Sequence, residues 1–326
     1  MTRLAVVFPG QGSQRIGMGR ELLETEPGLF DDYLRRADDI SGYPVSQFAL
    51  EGPLDELTRT EIAQPALYSL SMALWQLVTR EDVKPDFLAG HSLGEYTAVA
   101  AAGGLDFAEG LALVCERARL MADVHRRHPG GMAAIFGLDP GIVSQICADV
   151  SSSGVVVVAN RNSPGQVVIS GENAAVDAAT ERALVAGAEN VSRLPVGAAF
   201  HSPLMVEVRE RLAEFVAGLD WREPALPVVT ATPARISTTS MGLRTALLDQ
   251  IDGQVDWLGA VELMRGSGCE AFLELGSGRV LTGLVRQIDP DVAAFSADGP
   301  GRLTTSLRLI REVGVVSASE GPAGGS

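Results

Sequence analysis

The sequence predicts an α/β fold interrupted by an inserted α+β unit, on three observations. A short β-branched run, LAVVF at residues 4–8, empties into the glycine loop PGQGSQ at 9–14, the pattern of a buried strand ending at a site-forming turn. Strand-like and helix-like stretches alternate on both sides of a middle segment, as in a sheet covered by helices. Within that segment, after Gly130-Gly131, the rhythm changes to β-α-β-β-α-β, which is the pattern of a ferredoxin-like unit.

In chain order, a helical pattern at 66–80 precedes the strand FLAG at 87–90, a helix of small residues from about Gly94, and another helix over 107–124. The middle segment then gives MAAIFGL, a helix near 140–150, VVVVAN, a turn, QVVISG, a helix near 173–187 and NVSRLPV. After it come a helix at 203–217, the strand PVVTAT at 227–232, helices at 240–251 and 257–266, and the strand EAFLELG at 270–276. The small polar stretch at 317–326 is expected to be a disordered tail.

Composition narrows the class. A chain of 326 residues with 46% hydrophobic residues, 21% charged residues and 36 glycines fits a soluble, loop-rich enzyme with room for a cleft. Its net charge of −15 argues against nucleic acid or an anionic membrane as partner, because both need a basic surface. The cysteines, Cys115, Cys147 and Cys269, are far apart and form no CxxC pair, so neither a disulfide framework nor a zinc site is expected. The apolar run at 4–8 is too short for a signal peptide and no later run reaches membrane-spanning length, so a cytoplasmic protein is expected.

The chemistry centres on Gly90-His91-Ser92-Leu93-Gly94, a G-x-S-x-G between a strand and a helix, the context of a nucleophile elbow. Glycines let the turn close, Ser92 Oγ stands exposed, and the Leu93 N–H at the helix start can donate to an oxyanion. With it the class becomes an α/β-hydrolase-like large domain, 1–127 and 197–316, holding a ferredoxin-like subdomain at 128–196. An activated serine needs a base, and the chain has four histidines. His91 adjoins the serine and His125 and His128 sit in a polar run, leaving His201, between a strand and a helix, as the candidate.

Six ordered blocks then resemble one family: Gly10-Gln11-Gly12-Ser13-Gln14, Gln64-Pro65-Ala66, Gly90 to Glu95, Asn160 to Gly171 (with Asn162), Phe200-His201-Ser202-Pro203, and Leu275 to Gly283. The chain is similar along residues 4–312 to malonyl-CoA:acyl carrier protein transacylases, including free-standing, trans-acting polyketide synthase acyltransferases. The resemblance implies that Ser92 is acylated, that His201 is base and acid, and that Gln11 and the Leu93 N–H form the oxyanion hole. It implies that a main-chain carbonyl, at Gln250, orients His201, and that Arg117 holds the acyl carboxylate, as a guanidinium suits. His91, Asn162 and Phe200 are expected on the substrate-binding side, and Leu93 and Phe200 match the malonyl-selective pattern.

The resemblance further implies a CoA thioester and the phosphopantetheine arm of an acyl carrier protein as substrates, no metal or redox cofactor, and a monomer, in polyketide or fatty-acid assembly. The alternatives are transfer of a different acyl group, an editing serine thioesterase, or a non-catalytic carrier-binding module. The chain departs from the family at 230–233 and 254–257, stretches expected beside the acyl pocket and the carrier-facing side. A patch of Arg126, Arg127, Arg161 and Arg193 is expected to receive an acidic carrier. The transfer rate is expected to fall as pH drops through the ordinary imidazole range.

Overall fold

The structure, a computed structural model, describes residues 3–81, 83–196 and 198–314; the expected tail at 317–326 lies outside the described residues. Two sheets organise the chain. The larger has the order β11-β10-β1-β2-β7-β8: Ala293–Ala297, Cys269–Leu275, Arg3–Phe8, Phe87–Gly90, Val228–Ala231 and Ala234–Ser237. Its first five strands pair in parallel, and β8 returns antiparallel beside β7. The run at 4–8 behaves as a central parallel strand must: Leu4, Val6 and Phe8 join one apolar cluster, and Ala5 and Val7 join another on the opposite face. Both faces are therefore covered by helices.

The smaller sheet has the order β6-β3-β5-β4-β9: Asn190–Arg193, Gly130–Phe136, Gln166–Glu172, Val156–Ser163 and Val255–Asp256. Its first four strands are antiparallel neighbours with helices Pro140–Asp149 and Asn173–Val185 between them in sequence, the ferredoxin-like arrangement. Ala133, Ile135, Val167 and Ile169 point into this unit's own core, whereas Met132, Ala134 and Val168 point the other way and join the large cluster. The fifth strand, β9, comes from beyond 128–196 and runs parallel to β4.

β4 shifts register between Val158 and Asn160. Val156 and Val158 lie in the small core, yet Asn160 and Asn162, of the same parity, line the cleft between the units. The extra residue exchanges the two faces of the strand, so an apolar start and a polar end each meet the right surroundings.

Several elements escaped the sequence reading. Residues 20–58 form helices Arg20–Thr25, Pro27–Phe30, Arg36–Ser41, Val45–Glu51 and Leu54–Thr58 with a π-helical turn at Asp31–Arg35, each too short to show a helical period. The helix expected at 66–80 begins at Thr60, and the polar run at 125–127 is the last turn of the helix Phe107–Arg127 rather than a linker. Neither departing stretch lines the cleft: Thr230 and Ala231 lie in β7, while Asp256 caps the helix Trp257–Gly266 through the Gly259 N–H (3.1 Å) and pairs with Arg161 (3.0 Å). These residues form a joint between the sheets. Among the described residues no helix is long and apolar enough to cross a membrane.

Two glycines set how closely the elbow lies on the sheet. A Cβ on Gly94 would stand 1.9 Å from the Phe8 carbonyl oxygen, and one on Gly90 would stand 1.8 Å from the Gly94 carbonyl carbon. Gly94→Ala is expected to cost about 3 kcal/mol or more, whereas Gly28→Ala, with open space around it, should stay within about 0.5 kcal/mol. Urea denaturation of the two variants measures this, and equal small losses would contradict the close crossing.

Candidate active site

β2 ends at Gly90, the helix Leu93–Ala101 begins one residue past Ser92, and Ser92 takes φ 52°, ψ −108° between them. His201 has φ 58°, and these are the two non-glycine residues with positive φ among the described residues. Such backbone is costly for a residue with a Cβ, and here it aims two side chains at one point. Ser92 Oγ lies 2.7 Å from His201 Nε2, and His201 Nδ1 lies 2.7 Å from the main-chain oxygen of Gln250. A carbonyl only accepts, so Nδ1 carries the proton and Nε2 presents its lone pair to the serine hydroxyl. Gln250 lies in the last turn of the helix Ser240–Asp252, where carbonyls lack intrahelical partners, which leaves its oxygen for the imidazole.

Arg117, on the helix Phe107–Arg127, is 2% exposed and reaches the same point from the other side. Its Nη2 donates to Ser92 Oγ (3.1 Å) and Gln250 Oε1 (3.4 Å), and its Nη1 donates to Gln64 Oε1 (2.7 Å). The guanidinium lies over the Tyr96 ring, 5.0 Å from its centroid. Among the described residues no carboxylate pairs with it; Glu95 stands one hydrogen bond away, accepting from Gln250 Nε2 (2.9 Å). Arg119, two residues on, pairs with Glu116 on the surface.

Burial, then the neighbouring Arg117 charge, pushes the His201 pKa down to about 3. This moves the titration expected from the sequence: the imidazole stays neutral through the range in which a solvated histidine ionises. Burial pushes Glu95 up to about 7 against the hydrogen bonds from Gln250 and the Ala231 N–H.

The remaining expected residues surround a cleft of about 250 Å³ between the two units. Phe200, His91, Asn160 and Asn162 line it. His91 Nε2 and Asn162 Oδ1 are 2.8 Å apart, and the His91 ring meets Trp257 edge-on, so this pair ties the elbow to the small sheet. Gln11 also lines the cleft, but its Nε2 is turned toward the Thr58 carbonyl (3.5 Å) and Thr60 Oγ1 (3.3 Å), away from Ser92. Gln64 was visible only as part of a matched block; its Nε2 faces Gln11 Oε1 (3.4 Å) while its Oε1 receives Arg117. Glu95 likewise was visible only as the end of a matched block, with no role, and Tyr96 was missed, because an acid and an aromatic in a helix's first turn look like ordinary helix residues.

The four arginines expected to receive the carrier each pair with carboxylates. Arg126 pairs with Glu61 (3.4 Å) and Asp123 (3.6 Å), Arg127 with Asp123 (3.3 Å) and Glu207 (2.7 Å), Arg161 with Asp256, and Arg193 with Asp177. Acids outnumber bases 41 to 26, and these four guanidinium charges are met by carboxylates within the chain.

As to pH, the unfolded state takes up a proton below about 6.5 that folded His201 refuses until about 3. Stability from this group is therefore whole above pH 6.5 and is lost as pH falls through that window. A nitrogen-15 NMR titration is expected to find the His201 ring neutral at pH 5; a midpoint near 6.5 would refute the enclosed site.

An acyl transferase domain model matches residues 5–249. The chain is 37% identical to the malonyl CoA-acyl carrier protein transacylase of Salmonella typhimurium, covering 94% of this chain and 99% of that one. It is 36% identical to the one from Bacillus subtilis, covering 96% and 98%. Among solved structures, a malonyl-transacylase in complex with its type II PKS acyl-carrier protein superposes with a TM-score of 0.91 at 36% identity, covering 94% of this chain and all of that one. The malonyl-CoA:acyl carrier protein transacylase of Xanthomonas oryzae gives 0.90 at 39% identity, covering 95% and 99%. With a serine elbow, its imidazole and a buried guanidinium converging in one cleft, and with this likeness along nearly its whole length, the chain belongs to the acyl transferase domain family, as one of the malonyl-CoA:acyl carrier protein transacylases.

Proposed function

We propose that this enzyme moves a malonyl group from malonyl-CoA to the phosphopantetheine thiol of an acyl carrier protein through an acyl ester on Ser92. The observation that carries the reading is Arg117: a buried cation with no carboxylate against it among the described residues, 3.1 Å from the hydroxyl to be acylated. A plain esterase has no use for it, whereas an acyl group ending in a carboxylate brings the missing partner.

In the first half, His201 Nε2 takes the Ser92 proton as Oγ attacks the thioester carbon. The oxyanion is assigned to the N–H of Leu93 at the helix start together with Gln11, which lines the cleft. The tetrahedral adduct collapses, the C–S bond breaks, and the CoA sulfur takes the proton from His201. In the second half a carrier thiol gives its proton to His201 and attacks the ester, and Ser92 leaves with that proton. No electrons change hands, so no redox group is required.

Arg117 also couples substrate choice to basicity. Its charge helps hold the imidazole unprotonated. A malonyl carboxylate paired with it offsets that charge, so His201 becomes a better proton acceptor once a carboxyacyl group is seated. Phe200, on the cleft wall, occupies space an α-branch would need, worth about 1–3 kcal/mol of discrimination.

The carrier belongs to fatty-acid or polyketide assembly in the cytoplasm, where CoA thioesters are made, and we favour polyketide assembly. Its support is the departure from the family pattern at 230–233 and 254–257. Kinetics with purified fatty-acid and polyketide carriers decide between the two.

Ser92→Ala is expected to abolish acyl-enzyme formation, and His201→Ala to slow it by several orders of magnitude without unfolding the protein. Mass spectrometry after incubation with malonyl-CoA reads both, and near-normal labelling of either would sink the mechanism. Arg117→Ala should cost about 2–5 kcal/mol in malonyl transfer while sparing or improving acetyl transfer, which inverts the preference. Equal losses with both donors would reduce Arg117 to a support of the fold.

A further inference from the structure

Glu95 is wholly buried, does not line the cleft and takes no part in the proton transfers above. A buried carboxyl group with no reaction step of its own calls for a reason. Its Oε2 accepts from Gln250 Nε2 (2.9 Å) and from the Ala231 N–H (3.3 Å), so it is pinned between the elbow helix, strand β7 and the helix that orients His201. The charged groups facing it are Arg117 and Arg235.

We infer that Glu95 is a positioning residue that sets acyl specificity through Gln250: by taking the NH₂ end of that amide it fixes the Oε1 end toward Arg117. A guanidinium only donates, and the Glu95 oxygen facing Gln250, Oε2, also accepts from the Ala231 N–H and so stays an acceptor whether or not Oε1 carries a proton; an amide between them has one satisfactory orientation. Turned over, it would set NH₂ against the guanidinium and oxygen against the carboxylate. The row Arg117, Gln250, Glu95 is thus polar in one direction, and it ends on a residue fixed to the sheet. Tyr96, the next residue, donates its hydroxyl proton to the Leu247 carbonyl (2.9 Å) and lays its ring under the same guanidinium. The first turn of the elbow helix therefore carries both supports of the clamp three and four residues after the serine. Separate parts of Gln250 serve base and clamp: the main-chain oxygen that holds His201 is set by its helix, and the side chain that meets Arg117 is set by Glu95.

This inference rests on the reading of Arg117 as the holder of the acyl carboxylate, and its test is the ratio of malonyl to acetyl kcat/KM. In Glu95→Ala the ratio is expected to fall about 10- to 100-fold, chiefly through the malonyl KM, since a mis-set clamp loses binding of the carboxylate. Glu95→Gln keeps an acceptor within reach of the Gln250 amide and should recover the ratio to within about fivefold. Gln250→Met should lower it as Glu95→Ala does, with the double variant no worse than either alone, because both break one row. An unchanged ratio, equal losses with both donors, or additive losses in the double variant would overturn the assignment. If Glu95→Ala does not fold, Gln250→Met and Glu95→Gln carry the comparison, and an unchanged ratio in Gln250→Met overturns it alone. A wild-type enzyme that forms no malonyl ester would instead sink the proposed function, so the two failures are distinguishable.

Discussion

Most of the site follows from burying one guanidinium without putting a carboxylate against it. A buried charge left unmatched is expensive, and a direct ion pair would have consumed the charge that the proposed carboxyacyl group needs. The chain takes a middle course. Arg117 is surrounded by neutral acceptors from three elements, Gln64, Ser92 and Gln250, with an aromatic face beneath it and Glu95 one hydrogen bond away. The cation is solvated by fixed dipoles that need not reorganise when an anion arrives, which is how a preorganised site gains over water.

That arrangement constrains the rest of the molecule. Ser92 must accept from Arg117 while donating to His201, which requires the strained elbow and the close glycine crossing of β1. His201 must remain neutral beside a positive charge; burial and that charge hold it so against the Gln250 carbonyl, which fixes the ring while favouring its protonated form. The small unit supplies the opposite wall, and the shifted register of β4 turns its asparagines into the cleft. The His91–Asn162 contact and the joint at β9 then tie that wall to the elbow.

Charge elsewhere is spent locally. The arginines near the hinge and on the small sheet are each matched by acids, which is the natural outcome in a chain with many more carboxylates than cations. Their pairing was not legible in the sequence, because partners such as Glu61, Glu207 and Asp256 are distant in the chain and close only in space.

The sequence by itself determined what depends on short-range pattern. The apolar run at 4–8, the strand-elbow-helix around Ser92 and the β-α-β-β-α-β rhythm of the middle segment are local, so the sheet, the elbow and the insert were legible, and so was the scarcity of histidines that singled out His201. Short helices at 20–58 were not, since four to seven residues show no period. Tertiary structure alone decided which polar groups meet. Glu95 and Gln250 are 155 residues apart in sequence, and Ser92 and His201 are 109 apart. Whether Arg117 faces a carboxylate or a neutral amide, and whether His201 titrates near 6.5 or near 3, depends on burial and on those long-range partners. No local pattern encodes them, because a pKa reports the solvent and charges within a few ångströms in space and not along the chain.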